Sequence, residues 1–338
     1  MSRSVRDRIS DAEQSAFDRD GVICLRNVLT MDEVDHLRHA VAGQMSRLGH
    51  SPTGYDFEAL AGQVWDQGRS VDTGEADRFD MQAMKALIRS DAAARPLLEA
   101  DPSAETGLFF YDVAAWRHDR GVRKVAFDSA LPQIAASLLD ARYLNFWEDT
   151  TFVKAPHTRQ KTAFHQALAY FGSEGDQGVS VGIPLDAASL DNGVTQYVRG
   201  SHKWGQVFAP NVFVSQTPFQ SSPEGRCPDI ELAPEDYDIV SVAVEPGDVI
   251  IHHVMTVHGA GGNRSDTWRR AVSFRYCGDQ VRYLDRKGAI AQIGVTHDLS
   301  DGDRLFSADY PIVWPKPWPG FCLAEAFDVL DGDRTGKA

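Results

Sequence analysis

Ile239-Val-Ser-Val-Ala-Val-Glu-Pro-Gly-Asp-Val-Ile-Ile-His-His253 decides the fold class. Two short β-branched runs flank Glu245-Pro-Gly-Asp248, where proline and glycine favour a turn. Runs of the same kind surround it: Tyr143-Leu-Asn-Phe-Trp-Glu-Asp-Thr-Thr-Phe-Val153, Val179-Ser-Val-Gly-Ile-Pro-Leu185 and Arg270-Ala-Val-Ser-Phe-Arg-Tyr276. Turn residues such as Asp191-Asn-Gly193 separate them. Short strands punctuated in this way predict a sandwich or barrel from about residue 142 onward.

Upstream the period changes. Asp11-Ala-Glu-Gln-Ser-Ala-Phe17 and the stretch from Thr30 each open with a capping residue and an acidic first turn, so residues 10–48 read as helical. Gly21-Val-Ile-Cys-Leu25 interrupts them as a strand-like run. Residues 49–80, rich in Gly, Asp and Ser, read as a surface loop. Helical spacing returns over 81–140 and ends in Leu131-Pro-Gln-Ile-Ala-Ala-Ser-Leu-Leu139, whose proline suits a first turn. No Pro/Ser linker divides the chain. The expectation is a single domain over 1–338, with a mostly helical part (1–140) packed on a β-rich core (141–338).

The 338 residues carry 48 Asp plus Glu against 34 Lys plus Arg, a net charge of -14. That balance argues against nucleic acid or an anionic membrane as partner, because both are held by clustered cations. No apolar run is long enough to span a bilayer, and the charged N-terminus has no apolar leader core. Cys24, Cys227, Cys277 and Cys322 are scattered, as in a reduced, cytoplasmic protein. A small-molecule partner is expected; an acidic surface does not set an oligomeric state.

Among eleven histidines, most read as structural. His36, His39 and His50 fall on helical or loop surface, and His118, His157 and His297 lack informative neighbours. His165 follows Lys161-Thr-Ala-Phe164 at a strand end, and His258 precedes Gly259-Ala-Gly-Gly-Asn263. Two imidazoles on neighbouring strand ends can coordinate one divalent metal, and iron(II) oxygenases combine two His with one carboxylate. Arg269, eleven residues after His258, is a permanent cation suited to a carboxylate. These residues by themselves leave a packing role and a metal site both open.

The motifs taken together carry a resemblance. Phe164-His-Gln-Ala-Leu-Ala-Tyr-Phe171, Asp191-Asn-Gly-Val-Thr-Gln-Tyr-Val-Arg-Gly-Ser-His-Lys-Trp204, Glu245–His253, Val257-His-Gly-Ala-Gly-Gly-Asn-Arg264 and Trp268-Arg-Arg-Ala271 occur in the order of the phytanoyl-CoA dioxygenase family. The chain resembles these iron(II)/2-oxoglutarate-dependent oxygenases over nearly its whole length, from Phe17-Asp-Arg-Asp-Gly-Val22 onward. The resemblance implies a mainly β fold with flanking α: a double-stranded β-helix, a jelly-roll or cupin-like barrel, plus N-terminal helices. It implies Fe(II) on His165 and His258, with the distal carboxylate of 2-oxoglutarate on Arg269. Asn192, Gly193 and Gly200-Ser-His202 would be turn residues, and His252 and His253 core residues or neighbours of the metal ligands. Gly182, where many relatives carry a large residue, would either enlarge the cavity or mark a β-bulge helped by Pro184.

One family feature is missing. The proximal motif is His-x-Asp, and this chain has His165-Gln166-Ala167. A methyl group cannot ligate iron. Three readings follow: a hydroxylase-type oxygenase acting on a C–H bond of a small organic molecule, with its carboxylate substituted; a halogenase, with chloride at the position Ala167 frees; or a non-catalytic small-molecule-binding barrel. The retained His165, His258 and Arg269 favour the first. Glu174 and Asp176 lie past the turn and are poor substitutes for the carboxylate. Phe109-Phe-Tyr111, Tyr170-Phe171 and the segment from Phe208 to Phe219 are candidates to line a pocket. No glycine-rich nucleotide motif points to a CoA thioester substrate.

Overall fold

The computed structural model describes residues 9–48, 51, 54–57, 107–211, 213–214, 224–286, 289, 292 and 294–316. Most of the loop expected over 49–80, the helical spacing expected over 81–106, His50, Phe219 and Cys322 lie outside these.

Two helices open the chain. Helix α1 (Asp11–Asp20) starts at Ser10, one residue before the expected cap, and α2 (Met31–Met45) starts at Thr30. Each start is a capping box: the hydroxyl accepts from the N–H three residues on, and Glu13 or Glu33 accepts from the cap's own N–H. Helix α1 ends at Gly21, whose φ of 71° suits glycine. A Cβ there would collide with the His202 ring and the Thr256 hydroxyl. Helices α3 (Arg120–Asp128) and α4 (Leu131–Leu139) follow, with Pro132 in the first turn of α4 as the sequence predicts.

Strands β1 (Val22–Leu25), β2 (Tyr55–Asp56) and β3 (Phe109–Val113) come from the N-terminal part. They are followed by β4 (Leu144–Lys154), β5 (Thr162–His165), β6 (Ser173–Glu174), β7 (Gly178–Pro184) and β8 (Thr195–Val198). Next come β9 (Ile239–Ser241), β10 (Val249–His253), β11 (His258–Ala260), β12 (Arg269–Gly278), β13 (Arg282–Tyr283) and β14 (Ile312–Trp314). Among the described residues an eight-stranded sheet runs β1-β10-β7-β12-β4-β3-β2, with β14 also on β4. A four-stranded sheet runs β5-β11-β8-β9. These antiparallel sheets are the two halves of a double-stranded β-helix.

The helical spacing expected over 81–140 fails at Phe109-Phe-Tyr-Asp-Val113, which pairs with β4 from Phe109↔Lys154 to Val113↔Thr150. Consecutive aromatics suit a pleated surface, and the deciding partner is a distant strand. Tyr55–Asp56, inside the expected loop, likewise pairs with β3.

Alternation along the large sheet places the core and the cavity on opposite faces. Val272, Phe274 and Tyr276 of β12 and Val179, Val181 and Ile183 of β7 pack with Val34, Leu37, Val125 and Ile134 of the helices. Burying each such aliphatic side chain stabilises by about 1.5–3 kcal/mol. Ser273 and Arg275 of β12, Ser180 and Gly182 of β7 and His252 of β10 face the cavity between the sheets. The β12–β4 register slips between Arg275↔Glu148 and Tyr276↔Phe146. Trp147 is the extra residue, and this bulge lets both Trp147 and Glu148 line the cavity. Gly182 is not a bulge, for it pairs in unbroken register with Ile250 and Ser273. No described helix is long and apolar enough to cross a membrane.

Candidate active site

His165 ends β5 and His258 begins β11, and the two are direct partners across the small sheet. Their ring centroids lie 4.3 Å apart with planes at 51°. Each ring is oriented by the same local device: His165 Nδ1 donates to the Ala163 carbonyl at 2.8 Å, and His258 Nδ1 donates to the Thr256 carbonyl at 2.8 Å. A carbonyl only accepts, so the proton sits on Nδ1 and the Nε2 lone pair is free in both rings. Burial pushes His165 well below its ordinary value and His258 down to about 4, so both are neutral near pH 7. Neutral imidazoles whose other nitrogen is committed to a carbonyl are the form that a metal binds.

The other expected residues divide. Arg269 lines the same cavity, is buried, and its Nε has no hydrogen-bond partner among the described residues. Ala167 is also buried and lines the cavity, at the start of a 3-10 turn over Ala167–Tyr170. Among the described residues no third His, Cys, Asp or Glu joins His165 and His258 in a metal-binding set. Glu174 is exposed, Asp176 is exposed, and neither lines the cavity. Two nitrogen donors and an unpaired cation therefore fit a divalent metal bound together with an anionic ligand, and Ala167 offers the cavity only a methyl group.

His253, beside His252, faces the other way. It packs on His202 at 5.4 Å and accepts from the Met255 N–H at 3.2 Å. His202 reaches the Asp18 carbonyl at 3.2 Å, next to the turn at Gly200. His36 and His39 bond carbonyls of their own helix, and His157 pairs at the surface with Asp266. Of the aromatic candidates, Tyr111, Tyr170, Phe171 and Phe213 line the cavity, whereas Phe109, Phe110 and Phe208 are packed in the core.

Several residues of the site escape sequence reasoning. Gln166 points away from the cavity and clamps three segments: its amide donates to Gln206 and Met255 carbonyls at 3.0 Å, and its oxygen accepts from the Phe208 N–H at 2.9 Å. Arg275 pairs with Glu148, also on the cavity wall, at 3.3 Å, and with the buried Thr150 hydroxyl. Burial raises the Glu148 carboxyl, and Arg275 opposes that rise. Period-two counting from Arg269 would have found Arg275, which shares its face of β12. Tyr197, the other partner of His258 in the sheet, had no signal of its own.

The cavity has two unlike ends, with the His165–His258 pair between them. On the His165 side stand Tyr170 at 5.3 Å and Phe213 at 5.1 Å between ring centroids. On the His258 side stand Tyr197, at 6.0 Å, and His252, at 4.2 Å. Tyr197 is also the foremost charge neighbour of Arg269.

Comparison with known proteins gives the family and the fold. The profile of the family described as "Phytanoyl-CoA dioxygenase (PhyH)" matches residues 17–271. A probable phytanoyl-CoA dioxygenase of Caenorhabditis elegans is 29% identical over 37% of this chain and 39% of its own length. The peroxisomal phytanoyl-CoA dioxygenase of Homo sapiens is 25% identical over 49% of this chain and 48% of its own. The matched stretch thus spans half or less of these curated relatives. Among solved structures, the non-heme alpha ketoglutarate dependent carbocyclase SnoK from nogalamycin biosynthesis superposes with a TM-score of 0.61 at 20% identity. That superposition covers 92% of this chain and 99% of SnoK, a likeness of fold.

Proposed function

Because the chain belongs to the phytanoyl-CoA dioxygenase family, we propose that it is a non-haem iron(II)/2-oxoglutarate-dependent oxygenase that oxidises a C–H bond of a small organic molecule. His165 and His258 hold the metal through Nε2, and Arg269 holds the distal carboxylate of 2-oxoglutarate. The observation that carries this reading is the buried guanidinium of Arg269, without a carboxylate partner among the described residues, in one cavity with two bare Nε2 lone pairs. A buried cation costs several kcal/mol unless an anion meets it, and a dicarboxylate meets it on binding.

The bound metal and cosubstrate supply the oxidising chemistry. The chain's own part is placement. Ala163 and Thr256 carbonyls hold the two imidazoles in register; Arg269 sets the reach and direction of the cosubstrate. Trp147, Tyr170, Phe171 and Phe213 form an apolar wall that excludes water and holds the substrate beside His165. Ala167 adds no ligand, so the third protein position goes to an exogenous donor.

A second reading follows from the Ala167 methyl on the cavity wall: a halide as that donor, and halogenation in place of hydroxylation. Anaerobic addition of Fe(II) and 2-oxoglutarate tests the shared part through the weak visible charge-transfer band of such a complex. No band at high iron would sink both readings and leave a binding barrel. Iron affinity that rises with chloride or bromide, with halogenated product, would favour the halogenase.

A further inference from the structure

His252, His258 and Tyr197 form a cluster of three rings at the polar end of the cavity. The His252 ring lies 4.2 Å from His258 and 5.1 Å from Tyr197, with planes near 50° to each. His252 is only 5% exposed, lines the cavity, and neither of its ring nitrogens has a hydrogen-bond partner among the described residues. Its neighbours in the sheet each have a side-chain partner, and of their atoms only Arg275 Nε lacks one among the described residues. His252 pairs with Ser180, and Ser180 with Arg275, in one row across the large sheet. Ser180 Oγ meets Ser273 Oγ at 3.0 Å, and Arg275 meets Glu148 at 3.3 Å.

A buried imidazole with two unmet nitrogens is less stable than an apolar ring of its shape. A phenylalanine would fill this place without that penalty. Such a group makes physical sense when its partner is a ligand. The candidate partner is defined by position: His252 sits against His258 and against Tyr197, and Tyr197 is the foremost charge neighbour of Arg269.

We propose that His252 is a further cosubstrate-binding residue, whose ring N–H donates to the metal-side carboxylate of bound 2-oxoglutarate while Arg269 holds the far one. The inference rests on the iron(II)/2-oxoglutarate reading above. It gives a chain lacking the family's metal carboxylate an extra neutral donor for the anion that must neutralise the metal.

Calorimetric titration of the full chain, first with Zn(II) and then with 2-oxoglutarate, tests it without turnover. His252→Phe is expected to bind Zn(II) as the wild type does, to weaken 2-oxoglutarate about tenfold, and to melt no lower. His252→Asn keeps an N–H donor and is expected to fall between the two. In the wild type, histidine-labelled NMR of the Zn(II) form is expected to show one non-ligand imidazole N–H shifting with 2-oxoglutarate. This readout survives a variant that fails to fold. Equal 2-oxoglutarate affinity in wild type and His252→Phe would overturn the inference, as would absence of the NMR shift. Loss of Zn(II) affinity in His252→Phe as deep as in His258→Phe would overturn it too, making His252 a ligand. A wild type that takes up Zn(II) but no 2-oxoglutarate would overturn it together with the reading beneath it.

Discussion

Arg269 and Arg270 are chain neighbours on β12 that face opposite sides of the sheet, and only Arg270 has a carboxylate. Arg270 holds Asp186 in a fork, Nε to Oδ2 at 2.9 Å and Nη2 to Oδ1 at 2.7 Å. Arg269 faces the cavity with no such partner among the described residues. Strand alternation turns one of two identical residues into a structural ion pair and leaves the other as the anion receptor proposed above.

Replacing Arg269 by Leu should separate binding from stability. Loss of a charge-assisted fork is expected to weaken 2-oxoglutarate by at least about a hundredfold in calorimetry, since each such bond contributes roughly 1.5–3 kcal/mol. Removing an uncompensated buried cation should leave the urea midpoint unchanged or raised. Unchanged affinity would reject Arg269 as the carboxylate receptor.

Ala167→Asp places a carboxylate two residues after His165. Iron affinity is expected to rise by about tenfold or more, about 1.4 kcal/mol, because a hard anionic ligand joins two imidazoles. Product analysis then discriminates. Gained hydroxylation marks a substituted hydroxylase, whereas lost halogenation marks a halogenase.

Acid should destabilise the chain through its cavity histidines. Their folded values are depressed, His258 to about 4 and His165 and His252 well below the ordinary 6.5. The unfolded chain therefore takes up protons first as pH falls. Stability from these rings is full above about 6.5 and is lost as pH drops toward 4. Urea unfolding at several pH values checks this, and His252→Phe should flatten the slope. A slope identical to wild type would reject the assignment.

Glu148→Gln leaves Arg275 buried beside a neutral partner. The expected cost is about 3 kcal/mol, with much of it recovered in the double variant Glu148→Gln, Arg275→Met, because a lost ion-pair partner costs more than a lost pair. Equal stability of the single and double variants in urea would contradict a buried charge pair.

Much was written locally. Capping residues at Thr30, Pro132 in a first turn, the turn at Asp191-Asn-Gly193 and the alternating strands around Glu245-Pro-Gly-Asp248 each act over a few residues, and each appears where the sequence puts it. His165, His258 and Arg269 were singled out through the order of motifs that carries the family resemblance, not by their own spacing, and the structure brings all three to one cavity. Phe109–Val113 was misread, because its strand state depends on the edge of β4.

By itself, then, the sequence set the strand-and-turn pattern and the presence of Ala167 two residues after His165, and it put forward the residues proposed to hold a metal and an acid. Tertiary structure decided which of them meet. Register brought His165 opposite His258 across ninety-odd residues of chain, strand alternation turned Arg269 inward and Arg270 outward, and a bulge aimed both Trp147 and Glu148 at the cavity. It also placed His252 against His258 with its nitrogens unmet among the described residues. The reason is physical: propensity and capping are local free energies, whereas pairing, burial and unmet hydrogen bonds exist only between segments that folding brings together.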